Sequence, residues 1–161
     1  MSNKRIKLDR IDRKILKDLQ ENGRITNVKL AEHAGISAPP CLRRVRALEE
    51  SGLIKSYHAN IDASAMGYGM TVFVQVKLSG QSDADIKKFE SQCEKWDMVR
   101  EAHLVSGDVD FLLRIVARDW EGAQKFLRDD LAAFEGVVST KTMPLMRTAK
   151  QKHGVPIDTD R

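Results

Sequence analysis

Cysteine and histidine are scarce in this sequence, and their placement excludes several kinds of protein. The 161 residues hold 2 Cys and 4 His. Cys41 and Cys93 are far apart and form no C-x-x-C pair, which argues against a disulfide framework or a dithiol redox centre. They read as small buried hydrophobes in a reducing compartment. His33, His58, His103 and His153 show no H-x-x-x-H or mixed Cys/His spacing, so no structural metal is expected. No apolar run reaches the ~18 residues of a membrane span, and MSNKRIKLDR lacks the apolar stretch of a signal peptide. The expectation is a cytoplasmic protein with no membrane partner. No nucleophile–base pair or phosphate loop is recognisable either, so an enzyme is not expected and no cofactor is implied.

What the chain does have is a hydrophobic content of 42% with 31% charged residues, the balance of a globular protein of one ordinary domain or two small ones. Its formal net charge of +4 is unevenly spread. Residues 1–60 carry 13 Lys and Arg against 7 Asp and Glu, and the remainder 14 against 16. A basic first third on a near-neutral remainder suggests that only the first part meets a polyanion.

The organising stretch is Leu30–Ser51, LAEHAGISAPPCLRRVRALEES. It reads as the end of one short helix, a turn at Gly35-Ile36-Ser37, and a second helix rich in arginine. At about 100° per residue, Cys41, Leu42, Val45 and Leu48 form an apolar stripe on that second helix. Arg43 then falls opposite the stripe, with Arg44 and Arg46 on its two flanks. Three arginines on a polar face also suit mere solubility, but the preceding helix and the glycine turn complete a helix-turn-helix.

Taken in order, residues 1–7 read as a basic arm. A helix follows, capped by Asp9, with Ile11, Ile15, Leu16 and Leu19 inward and a stop at Asn22-Gly23. Thr26 caps a second helix, Asn27–Ala34, with Val28, Leu30, Ala31 and Ala34 inward. Ser37 caps the third, whose first turn holds Pro39 and Pro40, where a missing N–H costs little. The alternation in Leu53–Ile61 predicts a strand that would make the helix-turn-helix winged and offer Lys55 and His58 to a nucleic-acid backbone.

The pattern changes after DASAMGYG, which reads as a hinge. Val72, Val74, Val76 and Leu78 alternate along one strand. A helix opened by Ser82 turns Ile86, Phe89, Cys93 and Trp96 inward. Two more strands follow, Val99–Val105 and Phe111–Ala117. A helix opened by Asp119 carries Trp120, Ala123, Leu127, Leu131 and Phe134 inward, and a strand follows from Val137, in which Pro144 suits only an edge or a bulge. The fold class is therefore α+β, with an N-terminal winged helix-turn-helix domain over residues 1–61, a hinge over 62–69, a ferredoxin-like βαββαβ domain over 70–147 and a tail over 148–161 expected to be partly disordered beyond Gly154. Two helices cover one face of such a sheet, so a second copy is expected on the other, giving a homodimer.

The segments LDRIDRKILKDLQENGRIT, the Gly-Ile-Ser turn, PCLRRVRALEESGLI and HLVSGDVDFLL resemble the signature segments of the Lrp/AsnC family of feast/famine transcriptional regulators, and HLVSGDVDFLL is nearest its leucine-responsive branch. The resemblance spans almost the whole chain, in the family's order. It implies a DNA-binding transcriptional regulator with a dimerising effector domain, dimers that can assemble to octamers, and a small-molecule effector, usually an amino acid. Expected DNA-binding residues are Ser37, Pro39, Pro40 and Arg43 at base edges and Asn27, Lys29, Arg44 and Arg46 at phosphates of double-stranded DNA.

For the effector, the resemblance points to the turn of Leu104, Ser106, Gly107, Asp108, Val109 and Asp110. Backbone N–H groups near Gly107 suit a carboxylate and Asp110 an ammonium group. The same Gly-Asp pair also reads as a plain hairpin turn. Thr140 and Met143 are the expected apolar side of that site, and Pro144 departs from the strand expected there.

Two rivals stand beside this reading. Some proteins resembling the family are decarboxylases of sirohaem-type tetrapyrroles with a degraded helix-turn-helix. Such chemistry wants histidines and arginines around a large pocket, and His103 is the effector half's one histidine before the tail. The other rival is an architectural DNA-binding protein with no effector.

Overall fold

The computed structural model describes residues 7–159 and divides the chain into two compact units, one of residues up to Asn60 joined by those from Lys150 onward, the other Ile61–Ala149. Except for Lys7, the basic arm expected at the N-terminus lies outside the described residues.

The first unit contains α1 (Arg10–Glu21), α2 (Asn27–Ala34) and α3 (Ala38–Glu50). A capping box starts α1: Asp9 accepts from the Asp12 N–H, and Asp12 accepts from the Asp9 N–H. Thr26 caps α2, and Gly35 ends it in the left-handed region at φ 73°, a conformation that costs glycine nothing. Ile15, Leu30, Ala31, Ala34, Cys41 and Leu48 form the buried core, with Ile36 and Val45 packed against it.

Two inward assignments are corrected here. Val28 is 68% exposed and Leu42 39% exposed. The small residues Ala31 and Ala34 already fill the crossing of α2 with its neighbours, which leaves Val28 on the outside. The strand expected over Leu53–Ile61 is not formed. The segment is instead tied to helix ends, with the Ile54 N–H donating to Leu48 O and the Tyr57 hydroxyl to Glu49 Oε1 at 2.9 Å.

The tail is corrected as well. Gln20 of α1 holds Val155 at both polar backbone atoms: its Nε2 donates to Val155 O at 2.8 Å, and its Oε1 accepts from Val155 N at 2.9 Å. Gly154, in the left-handed region at φ 75°, lets the chain turn against the Gln20 side chain where a Cβ would collide. Arg13 Nη1 donates to Asp158 O at 3.5 Å. Residues 155–159 are thus an ordered strap on α1.

The second unit comprises β1 (Met70–Leu78), α4 (Asp83–Cys93), β2 (Val99–Leu104), β3 (Phe111–Ala117), α5 (Trp120–Phe126) and β4 (Val137–Pro144). The strands form one antiparallel sheet in the order β2-β3-β1-β4, the ferredoxin-like arrangement. Period-two alternation buries Val72, Val74, Val76 and Leu78 of β1 with Phe111, Leu113, Ile115 and Ala117 of β3, under Phe89 and Cys93 of α4 and Ala123 and Phe126 of α5. Phe89 meets Phe111, Trp96 and Phe134 ring to ring.

The last helix departs from regular spacing. A π-helical turn at Leu127–Leu131 widens it, so Phe126 and Leu131, five apart, are both buried while Trp120 stays exposed. Pro144 ends β4 on an edge of the sheet, opposite Val72, where no ladder donor is required. The opposite face carries the rows Met143–Phe73–Arg114–Glu101 and Lys141–Gln75–Leu112–His103, with Arg114 Nε donating to Glu101 Oε1 at 2.7 Å.

Candidate nucleic-acid interface and effector turn

The direction in which α3 faces solvent follows from what it buries. Cys41 and Leu48 are buried, and Pro40, Arg44 and Val45 are half-buried. Pro39, Leu42, Arg43, Arg46 and Ala47 are exposed. The outward centre therefore lies at Pro39 and Arg46, between Arg43 on one side and Leu42 on the other. With Leu42 outside the apolar stripe, Arg46 moves from the flank expected of it to the outward centre.

Arg44, expected at a phosphate, is paired within the first unit. Its Nη1 donates to Asp9 Oδ2 and Asp12 Oδ1, each at 2.7 Å, so its charge is spent on the first turn of α1. These hydrogen bonds, to Asp12 first and Asp9 next, push the Arg44 guanidinium pKa further up. Asn27, also expected at a phosphate, donates from Nδ2 to Ala38 O at 2.8 Å, tying α2 to the tip of α3. Arg43, Arg46 and Lys29 form no salt bridge among the described residues. Ser37 stands at the N-cap position of α3 but its side chain makes no capping hydrogen bond.

One cation was overlooked in the sequence. Arg24 lines a shallow groove with Lys29 and His33 on the surface of α2, following the Asn22-Gly23 stop. A basic residue just ahead of a helix N-terminus was the available signal.

In the second unit, the turn between β2 and β3 exposes Ser106, Gly107 and Asp108 and half-buries Val109. Asp110 behaves differently from the role expected of it. It is 7% exposed, the one buried charged residue among those described. Its Oδ2 accepts from the Leu78 N–H at 2.7 Å and its Oδ1 from Gln81 Nε2 at 2.8 Å, with Lys77 Nζ 3.5 Å away. Both oxygens are engaged by protein donors, so the carboxylate braces the turn against β1.

The remaining expected effector residues do not converge within one chain. Thr140 pairs with Val76, and Val76 with Phe111, which pairs with Leu104. Thr140 and Leu104 thus stand at opposite ends of one cross-sheet row, about 14 Å apart at ~4.8 Å per strand. Met143 pairs with Phe73 on the other face, because residues three apart in a strand point to opposite sides. Among the described residues no three His, Cys, Asp or Glu side chains gather as a metal site, and no helix is long and apolar enough to cross a membrane.

A helix-turn-helix with an outward arginine face, joined in one chain to a ferredoxin-like sheet with an exposed glycine turn, defines a DNA-binding protein with an appended ligand-binding module. Residues 8–55 match the family model described as winged helix-turn-helix DNA-binding, and residues 71–155 match the Lrp/AsnC ligand binding domain. The chain belongs to the Lrp/AsnC family of transcriptional regulators. It is 51% identical over 153 residues to the leucine-responsive regulatory protein of Rhizobium meliloti, covering 95% of this chain and 98% of that one. It is 39% identical to the leucine-responsive regulatory protein of Escherichia coli K12, covering 94% and 93%. Among solved structures, a transcriptional regulator from Neisseria meningitidis in complex with L-Met superposes with a TM-score of 0.90 at 31% identity, covering 94% of this chain and 98% of that one. An AsnC family regulator from Agrobacterium tumefaciens gives 0.86 at 33% identity, covering 92% and 97%.

Proposed function

We propose that this protein binds operator DNA as a cytoplasmic homodimer, and that an amino acid, bound where copies meet, tunes its assembly and its hold on DNA. The observation that carries the reading is the division of labour among the arginines of α3. Arg44 is locked to Asp9 and Asp12, while Arg43 and Arg46 stand out beside Pro39 on the exposed face. Arg43 and Arg46, with Ser37, Pro39 and Pro40 at the tip, are assigned to the major groove, and Lys29 and Arg24 to phosphates.

The effector reading rests on the exposed turn at Ser106–Val109 and on the distance between its expected partners. Backbone N–H groups of that turn suit a carboxylate, with Asp110 as the residue that holds the turn in place. Thr140 and Met143 reach an effector only if a second copy supplies them. The half-buried sheet face around Phe73, Leu112 and Arg114 is the surface we assign to that second copy. That the neisserial relative holds L-Met, and that close relatives are named for leucine, supports an amino acid as the ligand. We assign no catalytic role.

Selection of random DNA by the purified protein, with and without a pool of amino acids including leucine and methionine, tests the reading. A palindromic consensus whose affinity changes with the pool is the expected result. A consensus indifferent to the pool would leave an architectural DNA-binding protein. No consensus at any salt would overturn the regulator reading.

A further inference from the structure

The exposed face of α3 joins hydrogen-bond donors to hydrocarbon. Pro39, Leu42, Arg43, Arg46 and Ala47 carry two guanidiniums and apolar surface, and the exposed carboxylates Glu49 and Glu50 follow in the last turn. Guanidiniums only donate. In the major groove, cytosine N4 and adenine N6 present donors, guanine presents two acceptors, and thymine adds an acceptor and a 5-methyl group. Arg43 and Arg46 can therefore address guanine, and the hydrocarbon beside them can address the thymine methyl.

Leu42 is the large apolar side chain on this face. The core beneath it is filled by Cys41 and Leu48, at 0% and 4% exposure, while Leu42 remains 39% exposed. It precedes Arg46 by one helical turn, so the two lie side by side along α3, about 40° apart around the axis. With Arg46 in the groove, Leu42 faces base edges at the same depth, and the hydrocarbon that B-DNA offers there is the thymine methyl.

We propose that Leu42 is a specificity-determining residue that packs on the 5-methyl group of one thymine in each half-site. The inference rests on the regulator reading and adds to it what α3 reads.

Deoxyuridine differs from thymidine only by that methyl, which makes the test direct. In the selected operator, each thymine is replaced singly by deoxyuridine, and binding is measured for the full-length protein and for Leu42→Ala, with Leu42→Gln as a second variant. A cooperative melt establishes that each variant is folded. The expected result is one thymine per half-site at which deoxyuridine weakens the unsubstituted protein about fourfold, the effect of exposing one methyl. Leu42→Ala and Leu42→Gln should hold thymine and deoxyuridine equally at that position. Indifference of the unsubstituted protein to every replacement, or discrimination that persists in both variants, overturns the inference and leaves the regulator reading standing. Failure to select any operator removes both.

Discussion

Arg44 Nη1 lies 2.7 Å from Asp12 Oδ1, and this pair joins the recognition helix to the first turn of α1. Arg44→Ala should therefore act on stability, at a cost of about 1 kcal/mol once the partial exposure of the pair is allowed for. The slope of log Kd against log salt should stay unchanged in this variant. In Arg46→Ala that slope should fall by about one. Melting curves and DNA titrations at several salt concentrations separate the two arginines.

The same cluster responds to acid. Hydrogen bonding from the Asp12 N–H, and then from Arg44, holds the Asp9 carboxyl below its ordinary value of 3.8. A carboxyl depressed on folding stabilises the native state above its unfolded value, and the contribution is lost as pH falls through the folded value. The difference in melting temperature between Arg44→Ala and the unsubstituted protein should narrow as the pH drops below 3.8.

Tyr57 should titrate late. Burial, and then its hydrogen bond to Glu49, push its phenol up to about 12. A phenol raised on folding contributes stability that is fully present below its ordinary value of 10.0 and is lost as pH rises through about 12. Ultraviolet difference titration should resolve Tyr57 as a late step, and Glu49→Gln should bring that step down.

Neither thiol should react in the native protein. Burial raises the Cys41 thiol, and burial with Glu94 and Glu90 nearby pushes Cys93 up to about 12. An aromatic disulfide reagent at neutral pH should find no reactive thiol until the chain is unfolded, and then both.

Asp110→Ala should destabilise the effector unit by about 2–3 kcal/mol, since it strands the Leu78 N–H and Gln81 and removes the partner of Lys77. Chemical denaturation measures the loss. A loss of amino-acid response at unchanged stability would instead restore Asp110 as a direct ligand.

Gln20→Ala should free the strap. Trypsin should cut faster after Lys150 and Lys152, and hydrogen exchange at the Val155 amide should lose its protection.

Periodicity made most of the fold legible. The valines of β1 and the alternation of β3 set a sheet with one buried face, and Thr26, Ser82 and Asp119 each start a helix where an oxygen can cap it. Apolar spacing misleads where the core is already full: Val28 and Leu42 sit at helical spacing with core residues, but Leu30, Ala31, Ala34, Cys41 and Leu48 occupy it. The alternation of Leu53–Ile61 is real in the sequence, yet a strand needs a ladder partner, and Tyr57 found Glu49 instead. Arg44 looked identical in kind to Arg43 and Arg46, and its destination depended on two aspartates more than 30 residues earlier. The grip of Gln20 on Val155 spans 135 residues and leaves no local pattern.

That grip has a consequence for synthesis. The DNA-binding unit is interrupted in sequence by the whole effector unit, so the ribosome releases its last piece only after the sheet has been made. The three helices can fold early, but α1 stays without its strap until residues 155–159 have been made. Chains cut short before Gly154 would carry a recognition helix that looks finished while Gln20 on α1 has nothing to hold, and proteases that act on such exposed segments would distinguish them from chains that extend through Val155.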